Sequence, residues 1–429
     1  MATLSQLRSG GLAGTTRLDL SAGLAEFPRE IFDLADSLEI LNLSGNRLSS
    51  LPDDLPRLHR LRILFCSDNE FEHVPAVLGD CPALEMVGFK ANRIGTVDEA
   101  AFPPLLRWLI LTDNRLGELP GSIGTCGRMQ KLMLAGNQLD RLPDEMAACM
   151  NLELVRLSAN RFRGFPGWLF ELPRLSWLAV GGNPWSEMPA AERMREIPWT
   201  ELTLEAQLGE GASGVIHRAG WKGRQVAVKV FKGGMTSDGL PEQEMAVCLA
   251  AGNHPNLIGA LGKIPDHPGG GHALVMPLVD PGFVNLAGPP DLVSCTRDIY
   301  PAERRFDLPE VLAMASALAR AARHLHERGI VHGDFYAHNI LRDGAGGCLL
   351  GDFGAAAFYP READLERIEV RAFGCLVEEL LTRGDFEERE EKVVSGLWML
   401  QRRCMAEGVK DRPGFEEIQQ ELEEMRMKS

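Results

Sequence analysis

The 429-residue chain is too long for one ordinary globular core and implies two or three folded units. Its 45% hydrophobic and 24% charged content is that of a folded protein, and no apolar run approaches the ~18 to 20 residues of a membrane helix, so no membrane span is expected. A net charge of −15, with 20 basic against 25 acidic side chains before residue 200 and 25 against 35 after it, disfavours nucleic acid and anionic lipid as partners.

The N-terminal MATLSQLRSGGLAG lacks the basic start and apolar core of a secretion signal, so a cytoplasmic location is expected. The nine cysteines include no CxxC pair, which argues against a disulfide framework or a zinc site. Cys81, Cys126 and Cys149 stand where other repeats carry Leu58 and Leu172, and read as small buried hydrophobes.

The first half is periodic. Asn46, Asn69, Asn92, Asn114, Asn137, Asn160 and Asn183 recur at intervals of 23, 23, 22, 23, 23 and 23 residues, closing strings such as LEILNLSGN and MQKLMLAGN. Each repeat supplies one short strand whose inward leucines cannot be buried by a single coil, so stacking makes the core. The asparagine amide can satisfy backbone groups that the turn leaves unpaired. Pairs such as Leu51-Pro52, Val74-Pro75 and Leu142-Pro143 then end each strand region, because proline has no N–H to donate.

These strings resemble leucine-rich repeats over about residues 15 to 185, with a degenerate capping unit around Leu18, Leu20 and Phe27. The resemblance implies an α/β solenoid over residues 1–185, its parallel strands lining a concave face. Two outward columns there carry Ile40, Ile63, Met86, Trp108, Lys131, Leu154 and Trp177, and Asn42, Phe65, Gly88, Ile110, Met133, Arg156 and Ala179. Contiguous apolar side chains on such a face imply a protein partner, with Ile63, Phe65, Trp108, Ile110 and Trp177 as its contacts. Packing of these side chains on one another or on a second domain is the competing expectation.

Pro184, Pro189 and Pro198 break the repeat, so residues 186–199 read as a linker and 200–429 as a new domain. Gly209, Gly211 and Gly214 form a G-x-G-x-x-G loop between β-branched stretches, where missing side chains let backbone N–H groups approach phosphates. Lys229 ends the run VAVK, and Glu244 lies on a helix expected to start at Pro241, with Glu242 as its alternative. The string GIVHGDFYAHNIL separates Asp334 from Asn339 by five residues, and Asp352-Phe353-Gly354 follows an apolar run.

In this order the motifs resemble protein kinases, especially the tyrosine-kinase-like group, over about residues 200 to 425. The resemblance implies an α+β two-lobed fold using ATP and Mg2+. Asp334 would be the catalytic base, Lys229 would hold the α- and β-phosphates with Glu244 as the glutamate that pairs with it, and Asn339 and Asp352 would be the metal ligands. The peptide at Met276 and Leu278 would meet adenine, with Leu278 the N–H donor because Pro277 has none. Later, IEVRAFGCLVEELL resembles the long helix of the large lobe, with Glu369 in place of the usual aspartate, and Asp411-Arg412-Pro413 resembles the late arginine motif.

The chain also departs from that pattern. Gly333 replaces the arginine that grips a phosphorylated activation loop, and the segment from Asp352 to Glu369 has no serine or threonine and only Tyr359 as a hydroxyl acceptor. Switching by Ser/Thr phosphorylation of that segment is therefore not expected. Tyr336 stands where Ser/Thr kinases carry lysine, and no Ala-Pro-Glu motif follows. The leading expectation is a kinase acting on Ser/Thr of a protein recruited by the repeats. A small-molecule kinase and a non-catalytic scaffold remain open alternatives, as does the role of the insert from Asp280 to Phe306.

Overall fold

The computed structural model describes residues 3–186, 195–211, 213–233, 235–236, 238–360 and 363–428, so most of the expected linker lies outside the described residues. The chain divides into two compact units, Met1–Leu172 and Pro173–Ser429.

In the first unit, seven three-residue strands follow the repeat and pair in parallel, from Arg17–Asp19 to Leu154–Arg156. Their central residues lie in register, Leu18 on Leu41, Leu41 on Leu64, and onward to Leu132 on Val155, and all are buried. The asparagines do what their amides allow. Asn137 accepts the Leu116 N–H at 3.0 Å and donates to the Leu111 and Leu134 carbonyls, each at 2.9 Å, so one side chain stitches two repeats.

Pro75, Pro120 and Pro143 precede tight turns at Ala76–Asp80, Gly121–Thr125 and Asp144–Ala148, where their fixed φ starts the turn without costing a donor. Cys81, Cys126 and Cys149 close those turns and are buried. Burial pushes the Cys81 and Cys126 thiols up to about 12, which suits packing rather than reactivity. A short helix, Leu4–Arg8, opens the chain with a capping box between Thr3 and Gln6 that the T-x-x-Q spacing could have revealed.

The outward columns are less open than their sequence implies. Ile63 and Met86 are buried, and a Cβ added at Gly88 would lie 2.6 Å from the Phe65 ring, which therefore lies across that glycine. The Lys131 ammonium sits 4.2 Å from the Trp108 ring centroid. Of the five expected partner contacts, Phe65, Trp108 and Ile110 stay half-buried while Ile63 does not face water.

The second unit opens with Trp177–Ala179, the strand of the last repeat by sequence. Here the expectation for Trp177 fails: it is 1% exposed, and its ring stacks on Tyr336 at 4.1 Å, so it cannot meet an outside partner. Five antiparallel strands follow in the order Leu202–Glu210, Gly214–Trp221, Arg224–Phe231, Ala273–Pro277 and Gly262–Ile264. Ala219, Trp221, Val226, Val228, Ala273 and Val275 pack on one another beneath this sheet.

Helix Pro241–Ala251 carries proline in its first turn, where the missing N–H is harmless. Four longer helices follow among the described residues, Leu308–His326, Leu365–Thr382, Glu391–Cys404 and Phe415–Arg426. Asp307 caps the first of these through the Glu310 N–H at 2.8 Å, and Ile418 and Leu422 bury the apolar face of the last as its spacing implies. Two small sheets, Val284–Asn285 with Ile340–Arg342 and Cys348–Leu350, and Ile330–Val331 with Ala357–Phe358, bracket the loops that carry Asp334 and Asp352.

Candidate active site

Strand Arg224–Phe231 carries Lys229 and helix Pro241–Ala251 carries Glu244; both side chains are almost wholly buried and meet at 2.5 Å. The alternative, Glu242, instead faces His272 at 2.8 Å at the surface. Burial penalises the Lys229 ammonium, but the Glu244 and Asp352 carboxylates outweigh it and keep its pKa above the ordinary value. Burial also pushes Glu244 up to about 7 against the pull of Lys229. The Asp352 charge acts on both partners, favouring the charged lysine and disfavouring the charged glutamate.

The three glycines divide by role. A Cβ at Gly214 would sit 2.6 Å from the Val230 carbonyl oxygen, so that glycine lets two strands close. At Gly209 and Gly211 a Cβ would meet nothing within 4 Å, leaving bare backbone beside open space. Met276 pairs with Ala227 inside the sheet, two residues from Lys229, and Leu278 follows the end of the same strand.

The loop between the two small sheets is held at nearly every residue. His332, fully buried, bonds the Gly351 carbonyl through Nε2 at 2.9 Å, and the Gly333 N–H donates to Glu369 Oε1 at 2.8 Å. Asn339 Nδ2 donates to Asp334 Oδ2 at 2.8 Å and to the Asp334 carbonyl at 3.0 Å. The Gly351 N–H donates to the Asn339 carbonyl at 2.9 Å, tying this loop to the one bearing Asp352.

Asp352 has φ 54°, a left-handed backbone that aspartate tolerates better than most residues and that tends to mark functional sites. Glu369 reaches His326 Nε2 at 2.7 Å, and His326 Nδ1 meets the Tyr359 hydroxyl at 2.8 Å. Burial works against the Glu369 charge, yet His326 outweighs it and holds that pKa below the carboxylate range.

Asp298 was not identified from sequence because the 280–306 insert matches no spaced motif. Its buried carboxylate accepts the His338 N–H at 2.9 Å and meets His338 Nδ1 at 2.7 Å, fixing the residue beside Asn339. Burial disfavours a charged His338, but the hydrogen bond and charge of Asp298, with the charges of Asp334 and Asp352, outweigh it and raise its pKa. The insert is itself anchored by Arg297, which bonds Glu378 at 2.9 Å and Glu379 at 3.0 Å.

The donors fit a hard cation of modest protein demand. Among the described residues no cluster of three or more His, Cys, Asp or Glu could hold a metal alone. Magnesium needs none, because it takes one or two protein oxygens and completes its shell with water and phosphate. Asn339, whose amide nitrogen is spent on Asp334, presents its oxygen, and Asp352 is exposed.

Residues 202–371 match the family model for protein tyrosine and serine/threonine kinases, and residues 37–58 match a leucine-rich repeat. Similar proteins include the DNA damage-responsive serine/threonine-protein kinase RqkA of Deinococcus radiodurans, 31% identical over 38% of this chain and 23% of its own. The serine/threonine-protein kinase A-Raf of Homo sapiens is 27% identical over 41% of this chain and 27% of its own. The corresponding values for the serine/threonine-protein kinase CTR1 of Arabidopsis thaliana are 28%, 44% and 25%. The chain thus spans about a quarter of the length of these relatives. With the Lys229–Glu244 pair and the Asp334–Asn339 loop in the same matched stretch, the chain joins leucine-rich repeats to a domain of the protein tyrosine and serine/threonine kinase family.

Proposed function

We propose that this protein is an ATP- and Mg2+-dependent protein kinase that phosphorylates serine or threonine hydroxyls. The buried Lys229–Glu244 ion pair carries the reading, because a charged lysine held inside a sheet beside a second carboxylate has no packing rationale and suits an anionic ligand. Lys229 holds phosphate oxygens, and the N–H groups around Gly209 and Gly211 approach the same anion. Leu278 donates its N–H to the base beyond Met276. Asn339 and Asp352 hold magnesium, which neutralises phosphate charge when bound. Asp334, oriented by Asn339, accepts the proton of the attacking hydroxyl.

The repeats form a solenoid over residues 1–185 that recruits a protein partner through Phe65, Trp108 and Ile110, and a linker over 186–199 joins it to a kinase domain over 200–429. No described helix is long and apolar enough to cross a membrane, and action in the cytoplasm fits the reading.

Purified protein and an Asp334→Asn variant, incubated with γ-labelled ATP and magnesium, test this. Loss of a general base lowers rates by about 10² to 10⁴-fold, so label on protein should fall by at least about 10²-fold in the variant. ATP turnover dependent on Asp334 with no label on any protein would contradict the protein acceptor.

A further inference from the structure

Trp177 departs most clearly from its periodic expectation. Its indole N–H donates to the Phe335 carbonyl at 3.2 Å, and its ring lies 4.1 Å from Tyr336 at an interplanar angle of 7°. Phe335 and Tyr336 are the two residues directly after Asp334, so both contacts act on the backbone that aims the carboxylate. A buried carbonyl left without a donor is costly, which makes the indole N–H a specific requirement rather than one apolar contact among many.

The flanking residues are pinned to the same unit. Arg371, buried in helix Leu365–Thr382, donates to Ser176 Oγ at 2.7 Å. Arg412, 1% exposed, donates to the Pro173 carbonyl at 2.8 Å and also reaches the Ala406 and Arg367 carbonyls, at 2.9 and 3.0 Å. Gly333 adds an independent sign. Its φ is 73°, and a Cβ there would lie 2.7 Å from the Ala355 carbonyl oxygen and 2.8 Å from that of Leu178. The backbone of the Trp177 strand and of the segment after Asp352 therefore occupy the space a side chain at 333 would need.

We propose that residues 173–181 are a built-in brace of the catalytic loop, with Trp177 as the positioning residue that holds Asp334 in place through Phe335 and Tyr336. The segment from Asp352 to Glu369 offers no serine or threonine, and Gly333 offers no cation to grip a phosphate. The brace supplies by packing the order that a phosphorylated segment would otherwise have to impose.

The proposal rests on the kinase reading, and its test keeps the two separable. In the full chain, Trp177→Ala removes both the ring stack and the N–H, whereas Trp177→Phe keeps a ring. Hydrogen exchange of the 332–340 backbone and the kcat and ATP KM of label transfer are measured for each. Because displacing a catalytic group by about 1 Å can cost about 10²-fold, kcat should fall at least about tenfold in Trp177→Ala while ATP KM stays within about twofold. Exchange should quicken at 332–340 and not in the sheet, with Trp177→Phe intermediate in both readouts. Unchanged exchange and kcat in Trp177→Ala, or a higher kcat, would overturn the brace; exchange that quickens everywhere would reduce Trp177 to general packing. A wild-type protein without phosphotransfer would remove the kinase reading, and the exchange comparison would still decide the brace.

Discussion

The repeat unit and the catalytic unit solve the same problem, satisfying buried polar groups, at different ranges. Asn137 bonds residues 3, 21 and 26 positions away, and its counterparts in neighbouring repeats do the same at nearly the same offsets. In the catalytic unit the corresponding bonds are each made once and at unrelated separations: Lys229 with Glu244 at 15 positions, Gly333 with Glu369 at 36, His338 with Asp298 at 40. A bond made many times announces itself as a period. A bond made once is visible only if its residues belong to a motif already known.

The comparison predicts unequal fragility. Glu244→Ala leaves a buried ammonium without its main counter-charge, and breaking a buried pair costs about 3 kcal/mol or more. Lys229→Met should cost less, because burial already pushes Glu244 up to about 7 and the carboxyl can take up a proton and become neutral. Urea denaturation of both variants near neutral pH checks the order, and an equal or larger loss in Lys229→Met would contradict it.

In the repeats, Asn137→Ala removes the acceptor for Leu116 and a donor to two carbonyls, which costs about 2 kcal/mol. That loss should lower the unfolding midpoint of the first unit while phosphotransfer at 25 °C stays within about twofold, as independent sites allow. A matching loss of activity would break the contrast between the units.

The smallest expected effect is on pH dependence. Burial pushes His254 down to about 4, helped by His324, Arg320 and Arg328, while its Nδ1 accepts the Asn256 N–H at 3.2 Å. A histidine depressed in the fold contributes stability above its unfolded pKa of 6.5, and that contribution is lost as pH falls from there toward 4. His254→Asn should flatten this part of the melting-temperature profile, and an unchanged slope would assign it to another group.

Much of the site was legible in sequence because its chemistry demands fixed residue types. Asp334 and Asn339 lie five apart and are hydrogen bonded, and Glu244 rather than Glu242 meets Lys229, as its helix position implies. Asp298 was not legible, since one aspartate in an insert carries no period and its meaning depends on His338, 40 residues later. Trp177 was misread for a related reason. Alternation along a strand tells which way a side chain points, but not what chain lies above it. Gly333 showed that an arginine was missing, whereas the carbonyl oxygens of Leu178 and Ala355 that leave no room for it appear only in three dimensions.

Phosphoamino-acid analysis of protein labelled from γ-labelled ATP, with Asp334→Asn alongside, tests the central claim most directly. The account predicts phosphoserine or phosphothreonine from the wild-type protein and neither from the variant. Equal label in the variant, or label confined to a small molecule, would contradict it.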